Sequence, residues 1–306
     1  MSQNSFDTPV LFLIFNRPES TFRVFEQIKR YKPSRLFIAA DGPRNANEKV
    51  KCDEVRSITD RIDWPCDVKT LFREKNLGCG AAVSSAITWF FENAEEGIVL
   101  EDDCCPSQSF FKFCSILLEK YRFDERIGHI SGFNIQGGIK RGSADYYFSE
   151  ETQVWGWATW KRVWNKYDLS MNHLKEFEKS DQNPNLRNNK LHSLVALYDF
   201  KKVLKNKIDT WDYQYTYTNF INHSLSVIPN ENLIENIGFT ADATHTKEDN
   251  TIFSLNKAKE IDLSSLKHPT IILPHKAADS YSFKKHNKFT KLVYVIIWYF
   301  ILYKRK

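Results

Sequence analysis

The chain has 306 residues, of which 42% are hydrophobic and 26% charged, an ordinary globular composition with enough length for one large domain or two small ones. Its formal net charge is +5, yet residues 284–306 alone hold seven lysines and arginines and no acid, leaving the remainder at about −2. That distribution excludes a globally basic nucleic-acid binder, because the basicity belongs to one tail.

Six cysteines fall between Cys52 and Cys114 with no C-x-x-C pair among them, so no structural zinc site is expected. The opening MSQNSFDTP is polar, and the apolar VLFLIF that follows is too short for a signal peptide. Free thiols in a reducing cytoplasm are the expectation.

In chain order, Val10–Phe15 is an apolar run stopped by Asn16-Arg17-Pro18, a buried strand. STFRVFEQIKRY follows with Phe22, Phe25 and Ile28 at helical spacing. RLFIAADGP is a second buried strand ending on the turn signal Asp41-Gly42-Pro43, a polar helix runs from about 46 to 60, and DVKTLF is a third strand. GCGAAVSSAITWFFENA is a helix, GIVLEDD a fourth strand, SFFKFCSILLEKY a helix and IGHISGFN a fifth strand. Strands apolar on both faces and alternating with helices predict an α/β fold, a mostly parallel sheet flanked by helices. Beyond residue 133 the rhythm breaks into a mixed α+β half. ADYYFS reads as a strand and WATWKRVWNKY as helix-like, with Trp157, Trp160 and Trp164 on one face. LHSLVALYDFKKVLKNK and TWDYQYTYTNFIN read as helices, and SLSVIPNENLIENIGF as short strands about a turn. The organisation expected is 1–133 as the α/β half, 134–283 as the second half of the same domain, and 284–306 as a basic apolar tail.

In open α/β sheets ligands bind outside the carboxyl ends of the strands. Those ends carry Asn16-Arg17, Asp41-Gly42, Arg73-Glu74 and Glu101-Asp102-Asp103, a polar rim. Three adjacent carboxylates repel one another, and solvent, a basic neighbour or a hard cation such as Mn²⁺ or Mg²⁺ must offset the cost. In REKNLGCGAA, Gly78 and Gly80 allow a tight turn, and the helix start behind them offers free N–H groups to an anion. The spacing is neither G-x-G-x-x-G after the first strand nor a P-loop, so a dinucleotide oxidoreductase and a Walker-type NTPase lose support.

The strand endings Asn-Arg-Pro and Asp-Gly, the N-L-G-x-G helix start, L-E-D-D, T-W-D-Y-Q and G-F-T-A-D-A-T-H-T follow one another in this order over residues 8–250. Together they resemble a GT-A-fold glycosyltransferase, similar to the inverting N-acetylglucosaminyltransferase I type and to bacterial enzymes of surface-polysaccharide synthesis. The resemblance implies a GT-A-type, Rossmann-like sheet and a UDP-sugar or related nucleotide-sugar donor. It implies metal ligation by Asp103 and His245, with Asp102 near the donor ribose or metal-bound water and Glu101 near the donor sugar. Asn16 and Arg17 would lie under the nucleotide, Asp41 would contact base or ribose, and Arg73, Asn76 and Gly78 complete the donor rim. Asp212 matches the general base, with Asp209 the close alternative, although Asp209 also suits an N-cap of the helix carrying WDYQYTY. Trp155, before Gly156, is placed at the acceptor or donor-sugar pocket. The expected acceptor is a glycan, lipid-linked in some settings, and the expected enzyme a hexosyl- or N-acetylhexosaminyltransferase. The rivals are a non-catalytic nucleotide- or sugar-binding scaffold and a metal-dependent nucleotidyltransferase or phosphohydrolase.

The tail closes with an apolar stretch, Leu292–Tyr303, flanked by lysines. As a C-terminal amphiphilic helix it would reach about 18 Å, short of a hydrocarbon core of about 30 Å. An anchor on an anionic membrane surface is expected, placing the protein at the inner face of a bacterial cell membrane. A helix buried against the body is the alternative.

Overall fold

The computed structural model describes residues 7–179, 189–206, 208–238, 257–287, 291–293 and 295–296. β1 (Val10–Ile14) has every side chain buried, and both its edges pair in parallel, with β2 (Arg35–Ala40) and β4 (Glu96–Glu101). β3 (Asp67–Phe72) pairs in parallel on the far side of β2. α1 (Pro18–Tyr31) starts on a proline, whose fixed φ suits the first helical turn, and buries Thr21, Val24, Phe25 and Ile28 against the sheet. α2 (Ala46–Arg56) is capped by Asn45, which accepts the Glu48 N–H at 3.0 Å. α3 (Cys79–Asn93) buries Phe90 and Phe91, and Phe90 packs edge-on against Phe37 of β2 at 4.9 Å.

β5 (Cys104–Pro106), α4 (Gln108–Tyr121) and β6 (Ile127–Ser131) follow, then β7 (Tyr146–Ser149), β8 (Trp157–Trp160) and the one-turn α5 (Lys161–Trp164). The second half adds α6 (Leu174–Lys179), α7 (Lys190–Asn206), α8 (Asp212–Ile221), β9 (Leu225–Pro229), β10 (Ile234–Asn236) and α9 (Lys276–His286). One eight-stranded sheet runs β3-β2-β1-β4-β8-β6-β9-β7, and β10 and β5 form a separate pair. Only β8 and β7 run against the others. The architecture is thus α/β, a Rossmann-like, mostly parallel sheet flanked by helices. Both halves of the chain contribute to the one sheet, since β8 is inserted between β4 and β6.

Two expectations are corrected here. Residues 157–160 are a strand, not part of a helix. Alternation sends Trp157 towards His129, Trp211 and Tyr215, and Trp160 towards α4, where its indole N–H donates to Leu118 O at 3.2 Å. β3 is an edge strand with no residue fully buried. In the tail, Lys284–His286 end α9, and beyond it Val293 and Ile296 are exposed. Val295 is buried with Leu194, Val195 and Phe283, and Lys291 pairs with Asp199 of α7 at 2.7 Å. Among the described residues no helix is long and apolar enough to cross a membrane.

His129 lies in β6 beside β8, stacked on Trp157, with Nε2 2.9 Å from Gln153 O. Burial pushes its pKa down to about 4 from the usual 6.5. A histidine held neutral when folded binds its proton more readily when unfolded. Stability should therefore fall as pH drops from 6.5 towards 4, by an amount on the order of 3 kcal/mol. Urea denaturation across that window checks this, and His129→Gln should flatten the slope.

Candidate active site

The apolar run of β4 ends at Glu101, and Glu101, Asp102 and Asp103 stand there facing a basic neighbour, Arg17, from the turn between β1 and α1. Arg17 Nη1 lies 2.7 Å from Asp103 Oδ2 and 3.3 Å from Asp102 Oδ1. Asp102 is buried and also accepts the Phe15 N–H at 3.3 Å. Arg17 is the partner that offsets the acidic triplet. Burial opposes its charge, but Asp102 and Asp103 hold it firmly protonated. Burial pushes Asp102 up to about 7 against the pull of Arg17. Half-buried Glu101 is pushed well above the usual carboxylate range by burial and by Asp103, Asp102 and Asp212. The cluster therefore stores fewer negative charges than its sequence suggests.

Asp212 is the first residue of α8, and Thr210 Oγ1 donates to its carboxylate. Its influence on Glu101 and on Cys79 places it in the same cluster, 109 residues from Asp103 in the chain. Asp209 does not cap α8, whose N-cap is Trp211 with no side-chain cap bond. Instead it crosses to α3, accepting the Cys79 N–H and the Gly80 N–H at 2.7 Å each. The helix start expected to receive a donor anion thus already holds a carboxylate of this chain.

Asp41 is similarly engaged. It accepts the N–H groups of Gly42 at 2.8 Å and Leu77 at 3.0 Å and the Asn76 side-chain amide at 2.9 Å, holding the 76–78 turn against the end of β2. Asn76 also donates to Gly42 O at 2.8 Å. Asn16 donates to Glu48 of α2 at 2.6 Å, and Arg73 donates to Ser85 of α3 at 2.7 Å. Trp155 is half-buried and meets Phe133 edge-on at 4.6 Å. His245 lies outside the described residues.

A cleft of about 360 Å³ opens beside Arg17, and Arg23, Arg44 and Lys51 line it with Asn16 and Gly238. Arg23, Arg44 and Lys51 were missed in the sequence. Arg44 directly follows the strand-end turn Asp41-Gly42-Pro43, which was a usable signal, whereas the two helix cations look like any solvated face. Cys79 was missed too. Burial, with Glu101, Asp209 and Asp212 nearby, pushes its thiol up to about 12.

As for a cation, Asp103 Oδ2 faces Arg17 and Oδ1 accepts the Cys104 thiol at 3.4 Å. Among the described residues no three His, Cys, Asp or Glu side chains gather to hold a metal ion. Of the two ligands expected for a cation, Asp103 stands at this rim paired with Arg17, and His245 lies outside the described residues.

No family profile matches the chain, and no curated protein matches it. Solved structures do. HddC from Yersinia pseudotuberculosis is 14% identical over 52% of this chain and 80% of its own, with a TM-score of 0.32. A UDP-glucose pyrophosphorylase complexed with UDP-glucose is 13% identical over 54% and 79%, with a TM-score of 0.35. The glycosyltransferase GlyE of Streptococcus pneumoniae is 9% identical over 67% and 51%, with a TM-score of 0.31. At this level the likeness bears on no residue's role.

Proposed function

We propose that the protein is an inverting GT-A-type glycosyltransferase, hexosyl or N-acetylhexosaminyl, working from a UDP-sugar on a glycan acceptor in bacterial surface-polysaccharide synthesis. The observation that carries the reading is the ion-paired group Arg17, Asp102 and Asp103 at the carboxyl ends of β1 and β4, beside Glu101, whose carboxyl feels the charge of Asp212. Such a cluster joins a proton acceptor to a polar rim for a charged donor.

In this reading Asp212 takes the proton of the acceptor hydroxyl as its oxygen attacks the anomeric carbon. The bond from that carbon to the diphosphate oxygen breaks, and the electron pair leaves with UDP. Arg17, with Arg23, Arg44 and Lys51 along the cleft, supplies positive charge for the diphosphate. Glu101, its carboxyl raised by burial beside Asp103 and Asp102, stands on the same rim as the position proposed for the donor sugar. A Mn²⁺ or Mg²⁺ ion at Asp103 and His245 is part of the proposal, and when bound it would act as a Lewis acid on the diphosphate. Thermal denaturation with a panel of nucleotide-sugars tests the reading, since a ligand at 100 times its Kd stabilises by about 2.7 kcal/mol. A donor that stabilises and is then transferred supports it, and a panel without effect removes it.

The four cations of the cleft favour one second reading, because they suit a triphosphate as well as a diphosphate. A nucleotidyltransferase would release pyrophosphate from a nucleoside triphosphate and a sugar phosphate, which a glycosyltransferase would not.

The proposal includes peripheral attachment to the inner face of the membrane through the end of the tail, residues 297–306. Lys304, Arg305 and Lys306 there would each contribute about 1 kcal/mol near an anionic surface, screened by salt. Deleting 297–306 should weaken binding to anionic vesicles and spare activity on a soluble acceptor, because Val295 keeps its place beside Phe283. Unchanged vesicle binding would remove the tail's role.

A further inference from the structure

We infer that Asp209 is a positioning residue, a clamp that fastens segment 208–211 to the start of α3 and so sets where Asp212 stands. The inference rests on the reading of Asp212 as base. Its grounds are geometric. The two carboxylate oxygens of Asp209 accept from successive amides, Cys79 N–H and Gly80 N–H, at 2.7 Å each. Both are first-turn donors that have no partner within their own helix.

The glycines fit this clamp closely. Gly78 has φ +83°, and a Cβ there would stand 2.4 Å from Asp209 Oδ2. A Cβ on Gly80 would stand 2.8 Å from Thr210 O and 3.0 Å from Asp209 Oδ1. The Gly78-Cys79-Gly80 start therefore receives the carboxylate and backbone of 209–210, and its amides are not open to a diphosphate. The diphosphate is left to the cation-lined cleft beside Arg17.

Each of the next residues is held as well. Thr210 donates to Asp212. Trp211 is buried, stacks on Trp157 of β8 at 5.7 Å, and its carbonyl accepts from Tyr167 Oη at 3.2 Å. Asp212 follows as the first residue of α8. One end of this short run is pinned to α3 and its middle to the central sheet, so the base inherits its place from both.

The test uses full-length Asp209→Asn, which keeps side-chain size but sets an amide NH₂ against a backbone N–H, and Gly78→Ala, which crowds the clamp from the other side. Amide hydrogen exchange at Cys79 and Gly80 should rise in both. Iodoacetamide labelling of the Cys79 peptide, read by mass spectrometry, should quicken by roughly 5-fold or more as the clamp opens and thiolate becomes accessible. Sugar transfer should lose about 10-fold in kcat per folded molecule with donor KM within about 2-fold of the parent, the pattern of a misplaced group rather than a lost donor contact. Unchanged exchange and labelling would overturn the clamp. Raised exchange with unchanged kcat would leave Asp209 a structural cap and overturn its positioning role. A large rise in donor KM would return these amides to the donor and overturn the inference. If the parent protein transfers no sugar, the functional reading and the positioning role fall together, while exchange and labelling still decide the contact.

Discussion

Asp212→Asn should keep the fold and the affinity for the donor and lose sugar transfer by roughly 10²-fold or more, the range for removal of a general base. The substitution preserves the size of the side chain and leaves an oxygen to accept the Thr210 hydroxyl. It removes only the capacity to take a proton. The loss should appear in kcat, with donor KM nearly steady, because Asp212 meets the acceptor and not the nucleotide in the proposed arrangement. UDP affinity measured by calorimetry checks the retained half of the expectation. A variant that transfers sugar at the parental rate would mean that another group accepts the proton.

The first half of the sheet was legible because local pattern and tertiary role agree there. Val10–Ile14, Arg35–Ala40 and Ile98–Leu100 are apolar runs that become central parallel strands, and the helices between them carry their own start signals. DVKTLF was also readable as a strand, but its edge position was not, since nothing local tells which strand ends the sheet. The failure at 157–164 has a different origin. Trp157, Trp160 and Trp164 sit at helical spacing, yet hydrogen bonding to β4 and β6 on both sides fixes 157–160 as extended chain, and tertiary pairing outweighs side-chain periodicity. β5 was invisible because Cys104–Pro106 pairs with a strand 130 residues downstream. The same distance hid the contact between Asp209 and the Gly78 turn, where a glycine-flanked helix start reads as an anion site without revealing that the anion is part of the chain. The tail reads two ways, because an apolar segment with flanking lysines has one composition whether it meets lipid or, as Val295 does, Leu194 and Phe283.

Arg17→Gln should weaken UDP binding by about 10-fold or more, since charge-assisted hydrogen bonds contribute about 1.5–3 kcal/mol. The arginine stands between the acids and the cleft, its side chain 26% exposed, so it can reach a ligand while pairing with Asp103 at 2.7 Å. Its removal also strips the buried Asp102 carboxyl of the charge that opposes burial, and Asp102 should then titrate above 7, its value beside the arginine. A carboxyl raised in the folded state costs stability as pH rises through that range, so the variant should be most destabilised relative to the parent at alkaline pH. Asp103→Asn acts on the other partner and separates the arginine from the metal. If Asp103 ligates Mn²⁺ when the donor is bound, the increment of UDP affinity that Mn²⁺ gives the parent should vanish in Asp103→Asn, while the metal-free affinity stays within a few-fold. In Arg17→Gln that increment should survive or grow, because Asp103 Oδ2 is released from its guanidinium partner. Calorimetry with UDP, in chelator and in Mn²⁺, on the parent and both variants measures each of these affinities. An Asp103→Asn variant with an intact Mn²⁺ increment would take Asp103 out of the metal site, and an Arg17→Gln variant that binds UDP as the parent does would take Arg17 out of the donor site.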